Sequence, residues 1–181
     1  VLERSKYDFE DEDVSIYKTP KGLSLEIVDE ISSQKNEPLF MKEYREKSYK
    51  EFIKHHQPSF GPDLSFLNFD DYTYFTRLSD KVSKKWEDVP ETVRNTFSKL
   101  GIPEAEKEFL AGVSTQYESE AVYHNMLKEV EDKGVIFLDT DTALKTHPEL
   151  FKKYFGKLVP YTDHKYGAVN GCCWSGGGVI Y

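Results

Sequence analysis

The stretch Asn170-Gly171-Cys172-Cys173-Trp174-Ser175-Gly176-Gly177-Gly178 decides how this chain is read. It holds both cysteines, side by side, then a tryptophan, a glycine run and Val179-Ile180-Tyr181, a strand-forming end. Nothing downstream in the chain is left to pair with that strand. The reading is therefore that its hydrogen-bonding companions come from elsewhere, from a longer protein or a partner chain. Residues 172–181 are expected to be ordered only where such a cover exists, because fixing a backbone costs roughly 1–2 kcal/mol per residue.

The thiols admit three readings. Gly171-Cys172-Cys173-Trp174 has the look of a papain-type nucleophile, with Cys173 as the candidate. That chemistry needs a helix N-terminus and a downstream histidine, whereas glycines follow and His164 lies upstream. A metal is the second reading, yet neighbours on a strand point to opposite faces and no Cys-x-x-Cys is present. Small buried core residues are the third, and the favoured one. Two vicinal cysteines also resist pairing with each other as a disulfide, which suits a reducing compartment.

Composition narrows the class. The 181 residues carry a formal charge of −8, which argues against a nucleic-acid backbone as the main partner. Lys84-Lys85 and Lys152-Lys153 read as solvated faces. A hydrophobic share of 38% is low, but 12 Phe and 12 Tyr can build a core. No run approaches the roughly 18 apolar residues of a membrane span. Val1 to Asp13 is acidic and lacks the order of a secretory signal, so the cytoplasm is the expected location.

Along the chain, residues 1–21 read as an extended or poorly ordered arm. Ser24 can cap a helix with Leu25, Val28 and Ile31 on one face. Pro38 suits the first turn of a helix reaching about His55, with Phe40, Met41, Tyr44, Phe52 and Ile53 on its stripe. His55-His56 then sits favourably at the negative end of that helix. Leu67 to Arg77, crowded with aromatics, reads as extended. Asp88 and Glu91 have capping-box spacing, and Gly101 suits a helix C′ position. A further helix is expected from Pro103 to just before Gly112. Val113 to His124 should hold a strand, and Met126, Leu127 and Val130 a helix closed by Gly134. Val135 to Leu138 is the strongest strand. Asp139 or Asp141 should cap a helix, so Asp139-Thr140-Asp141-Thr142 reads as a cap and not as an acid pair. Pro148 should open a helix with Leu150, Phe151, Tyr154 and Phe155 buried. The glycine run lacks the lysine and helix of a phosphate loop. None of these motifs assembles a catalytic, cofactor or metal site.

Taken in register, many short motifs resemble SufB, the scaffold of the SUF iron–sulfur cluster assembly system. They run from Asn36-Glu37-Pro38 with Met41 and Arg45, through Trp86-Glu87-Asp88-Val89-Pro90 and Phe97 to Pro103, to Leu110-Ala111-Gly112-Val113. Gln116 to Glu120, Val122 to Asn125, Gly134 to Phe137, His147 to Leu150, Lys153 to Gly156 and Val159-Pro160 also fit. Trp174-Ser175-Gly176-Gly177 and Ile180-Tyr181 resemble the family's lead-in to its central β-helix.

The resemblance implies an α+β fold: a helix-rich N-terminal region over residues 22–165, then the start of a right-handed parallel β-helix over 166–181. It implies a non-enzymatic scaffold on which iron and sulfide assemble. The implied partners are a SufC-like ATPase, a SufD-like or second SufB-like subunit, and a sulfur donor protein. The cluster would belong to the complete scaffold, its ligands outside this segment, and none is expected on this chain alone. Cys172, Cys173 and Gly178 depart from the family pattern. A stand-alone interaction module that regulates assembly, and more remotely an enzyme using Cys173, are the alternatives.

Overall fold

The computed structural model describes residues 15–77, 85–101, 112–117, 119–126 and 128–181. The first helix shows how local chemistry sets an element. Ser24, in extended backbone, accepts from the Ile27 amide through Oγ, and α1 runs Leu25–Lys35. Its inner face is Ile27, Val28, Ile31, Ser32 and Lys35. It stops at Asn36, which takes the left-handed conformation that closes a C-terminus.

Pro38 then starts α2, Leu39–Lys54, as its spacing predicts, and His55 closes it. Its buried stripe is Met41, Arg45, Ser48 and Phe52. Ile53 is 61% exposed and lies off that stripe, contrary to the sequence reading, because a polar pair fills the inward positions instead. Residues 67–77 are mixed, not extended throughout. Asn68 Oδ1 accepts from Asp70 N at 3.2 Å and winds Phe69–Asp71 into one 3₁₀ turn. Strand β2, Thr76–Arg77, follows and pairs antiparallel with β1, Tyr17–Lys18, so the arm is extended there.

Asp88 does not cap a helix. It ends a 3₁₀ turn, Trp86–Asp88, and α3 begins only at Glu91. Val89 precedes Pro90, and a residue before proline is driven out of helical geometry. Gly101 has φ +77, as a C′ glycine should. The helix expected from Pro103 lies outside the described residues. Strands β3, Gly112–Tyr117, and β4, Glu120–Met126, form an antiparallel hairpin with a bulge at Thr115/Gln116. A short helix α4, Lys128–Glu131, turns at Gly134 into β5, Phe137–Asp139. Asp139 Oδ1 caps α5, Thr140–Thr146, by accepting from Thr142 N at 2.9 Å. Helix α6, Pro148–Tyr154, buries Phe151 but leaves Tyr154 exposed.

The largest departure is α7, Lys165–Cys173. Both cysteines lie in its last turn, on a helix and not on a strand. Gly167 and Gly171 look like breakers in sequence, but they are contact residues. A Cβ on Gly171 would meet the Ser48 side chain and, at 3.1 Å, Tyr161; one on Gly167 would sit 3.0 Å from Pro160 O. Close packing of α7 on α2 thus overrides the helix propensity of glycine.

The second departure concerns β6, Gly178–Ile180. It pairs antiparallel with β5 in register Phe137↔Ile180, Leu138↔Val179, Asp139↔Gly178. Ile136 and Tyr181 exchange backbone hydrogen bonds at 2.8 and 2.9 Å. The terminal strand therefore finds a companion upstream in its own chain, which a search for a downstream partner misses.

Apolar clusters lie between these elements among the described residues. Leu23, Val28, Phe52, Ala168 and Cys172 join α1, α2 and α7. Met41, Ala143, Leu144, Phe151 and Trp174 join α2, α5 and α6. Ile27, Ile31 and Phe75 close the α1 face under β2.

Candidate functional site

The chemistry of this chain gathers where α1 ends, α7 ends and the segment 174–181 crosses them. Glu37 follows the α1 cap and Arg45 lies one inward stripe position beyond Met41. Arg45 Nε and Nη2 donate to the two Glu37 carboxylate oxygens at 2.7 and 2.6 Å, and both side chains are fully shielded from water. The remaining arm, Nη1, donates to Cys172 O at 2.9 Å. Helix C-terminal carbonyls lack intrahelical partners, and here a guanidinium supplies one. The same cation stacks 4.7 Å from the Trp174 ring centroid.

Lys35, the last residue of α1, is a second shielded cation. Its Nζ donates to Asp141 Oδ2 at 2.7 Å and to Ser175 Oγ at 3.3 Å, with Glu120 Oε1 4.0 Å away. The ammonium lies 5.8 Å from both the Phe75 and Trp174 rings. Arg77 continues the network, gripping Glu120 at 2.9 and 3.0 Å and donating to Gln34 O at 2.8 Å. Asp141 is thus an ion-pair partner, and Asp139 alone is the cap. Further hydrogen bonds tie the segment down: Gly176 N to Ser119 O, Thr140 N to Gly177 O, and Thr140 Oγ1 to Ser175 O.

The thiols sit at the rim of this network. Cys172 is buried, Cys173 half-buried, and their sulfurs are 3.5 Å apart. Cys172 Sγ–H points to Val169 O at 3.3 Å. The hydrogen bond that the Cys173 thiol makes to Cys172 Sγ, and then burial, push the Cys173 thiol well above its ordinary range, outweighing the pull of Arg45. A helix C-terminus also disfavours a thiolate. His164 caps the opposite end of α7, its Nδ1 accepting from Gly167 N at 3.2 Å. Nine helical residues place it about 13 Å along the axis from Cys173, so it relays no proton there. His55 closes α2 3.9 Å from Glu51, in the capping place its position suggested. Among the described residues, no three His, Cys, Asp or Glu side chains converge as a metal would require.

An apolar groove of about 470 Å³ runs beside β6 under α6, between Leu150, Tyr154, Val179 and Tyr181. Ile180 stands 76% exposed on its edge. No described helix is long and apolar enough to cross a membrane.

The ion-pair residues are what sequence reasoning missed. One signal was readable: Met41, Arg45, Ser48 and Phe52 fall on one helical stripe, and an arginine inside such a stripe demands a buried acid. Lys35 offers no such signal, since its partners lie 85 or more residues away in sequence.

No protein-family model matches the chain. The chain is 56% identical over 176 residues to iron-sulfur cluster assembly SufBD family proteins of Staphylococcus aureus and of Staphylococcus saprophyticus. The match takes in 97% of this chain and 38% of the length of each relative. At that identity the proteins are homologues, and the chain spans well under half the length of the curated relatives it matches.

Proposed function

We propose that this chain is part of a SufBD-family protein of iron–sulfur cluster assembly, and that within the family it is of the SufB kind. The observation that carries this is the 56% identity, sustained over 176 residues, to proteins named for that process. The collinear motifs from Asn36-Glu37-Pro38 to Trp174-Ser175-Gly176-Gly177 support the SufB assignment.

In this reading the chain is a structural and docking element, not an enzyme. The complete scaffold carries iron and sulfide as cargo, and their assembly is driven by a SufC-like ATPase alongside a SufD-like or second SufB-like subunit in the cytoplasm. The fold continues into a right-handed parallel β-helix, whose coils need stacked neighbours to bury their apolar faces. The Glu37–Arg45 and Lys35–Asp141 pairs hold α7 and the segment 174–181 to the helical body, presenting β6 in a fixed orientation. The raised Cys173 thiol, at a helix C-terminus with His164 at the far end of the same helix, suits packing better than nucleophilic work.

A chimera tests the reading. This chain replaces the matching region of a staphylococcal relative, and the fusion is expressed in cells lacking either SufB or SufD. Rescue of iron–sulfur enzyme activity in the SufB-deficient cells alone is expected. Rescue only of the SufD-deficient cells would reassign the subtype, and rescue of neither would remove the proposal. Iron and acid-labile sulfide analysis of the reconstituted 181-residue chain should find no stoichiometric cluster.

A further inference from the structure

We infer that Cys172 and Cys173 form a preset dithiol site for a thiophilic, trivalent arsenic(III)-type centre bound through both sulfurs. This goes beyond the assembly role and does not depend on it.

The inference starts from spacing. Adjacent Cα atoms lie about 3.8 Å apart, below the range of at least ~4.4 Å that ordinary disulfides span, so the α7 backbone keeps these thiols from closing on each other. Yet their sulfurs face one another at 3.5 Å. Two sulfurs bonded at ~2.3 Å would be about 4.6 Å apart across a linear ion, about 3.8 Å across a tetrahedral one, and about 3.3 Å across a pyramidal centre near 90°. The observed separation excludes linear two-coordination without movement. A tetrahedral zinc would need two more protein ligands, and no third His, Cys, Asp or Glu joins the pair among the described residues. What remains is a bent centre content with two protein sulfurs and one ligand of its own.

The surroundings set the nature of that third ligand. Phe52 packs in the cluster containing Cys172, and Tyr49, Phe69, Tyr74 and Val169 pack against it. These aromatic neighbours suit an organic substituent over a charged one. The chemistry also proceeds from the protonated form of the thiols. With phenylarsine oxide, the arsenic–oxygen bond breaks, two arsenic–sulfur bonds form, and the oxygen leaves as water with both thiol protons. Arsenic stays trivalent, no electron is transferred, and no thiolate has to accumulate. The site therefore responds to arsenicals, whereas Cys173, its thiol raised, is sluggish toward alkylating agents.

The test uses the full 181-residue chain, reduced with a phosphine so that no competing thiol is present. After incubation with phenylarsine oxide and desalting, intact mass should show one phenylarsenic per chain, removed by 2,3-dimercaptopropanol. Cys172→Ser, Cys172→Ala and Cys173→Ser should each lose the adduct, with circular dichroism showing which variants remain folded. The folded chain should bind at least tenfold more tightly than a peptide of residues 170–174, because its sulfurs are already spaced. An adduct that forms only after unfolding in guanidinium, one retained by a folded single-cysteine variant, or an affinity no better than the peptide's overturns the inference.

Discussion

Glu37 and Arg45 meet through two parallel hydrogen bonds, at 2.6 and 2.7 Å, in a place from which water is wholly excluded. Desolvating both charges is costly, and the pair survives because the third arm of Arg45 is also satisfied, by Cys172 O. The stability at stake is therefore mostly the penalty for orphaning one partner. Glu37→Gln should destabilise the chain by about 3 kcal/mol, the scale for breaking a buried pair. The Glu37→Gln/Arg45→Met double variant should cost clearly less than the sum of the two single changes. Urea denaturation of all four proteins gives the coupling, and additive effects would contradict the shielded geometry.

Helix α7 rests on α2 through a glycine. A Cβ on Gly171 would collide with the Ser48 side chain, and Ser48 cannot swing away freely because its Oγ donates to Tyr44 O at 2.8 Å. Gly171→Ala, normally helpful in a helix by up to ~1 kcal/mol, should here destabilise by roughly 1–3 kcal/mol. Gly171→Ala combined with Ser48→Ala should recover part of that loss. A shift of the thermal midpoint upward in the single variant would refute the close contact.

How much of this could be read from the sequence depends on the range of the interaction. The Ser24 cap, the Pro38 start, the Gly101 turn and the Asp139 cap involve partners within a few residues, and each was legible. Helix α7 was not, because the reason for Gly167 and Gly171 lies on α2 and on Pro160. The capping spacing of Asp88 and Glu91 was overruled by Pro90 between them. The partner of β6 lies upstream in β5, and the partners of Lys35 lie on β4 and α5; only the folded chain brings these together.

Alkaline pH should unfold the chain through its tyrosines. Burial first, then the hydrogen bond to Glu30, push the Tyr17 phenol up to about 12. Burial likewise raises Tyr44, Tyr49 and Tyr74. A phenol whose folded pKa exceeds its unfolded value near 10 stabilises fully below pH 10. That stabilisation fades as pH rises, and for Tyr17 it is gone above about 12. Stability should thus fall from pH 10 to 12, and Tyr17→Phe should fall less steeply. Phenolate absorbance near 295 nm and circular dichroism, followed together, check this. Full tyrosine ionisation at pH 10 with the fold intact would be the contrary result.

Lys35 controls whether the terminal segment stays attached. Its Nζ reaches Asp141 and Ser175, and it lies against the Trp174 ring, so one side chain joins α1 to α5 and to residues 174–181. Lys35→Met keeps an apolar stem of similar length while removing the charge that lies over the Phe75 ring. Asp141 is about a quarter exposed, which moderates the cost to about 1–2 kcal/mol. That loss should fall locally. The amides of Thr140, Ile136 and Tyr181, hydrogen-bonded across the β5–β6 junction, and that of Gly176, bonded to Ser119 O, should exchange roughly tenfold faster, as about 1.4 kcal/mol of local opening requires. Amides buried between α1 and α2, such as Ile31 and Phe52, should change far less. Uniform acceleration across the chain would mean that Lys35 supports the whole fold instead of anchoring its terminal strand.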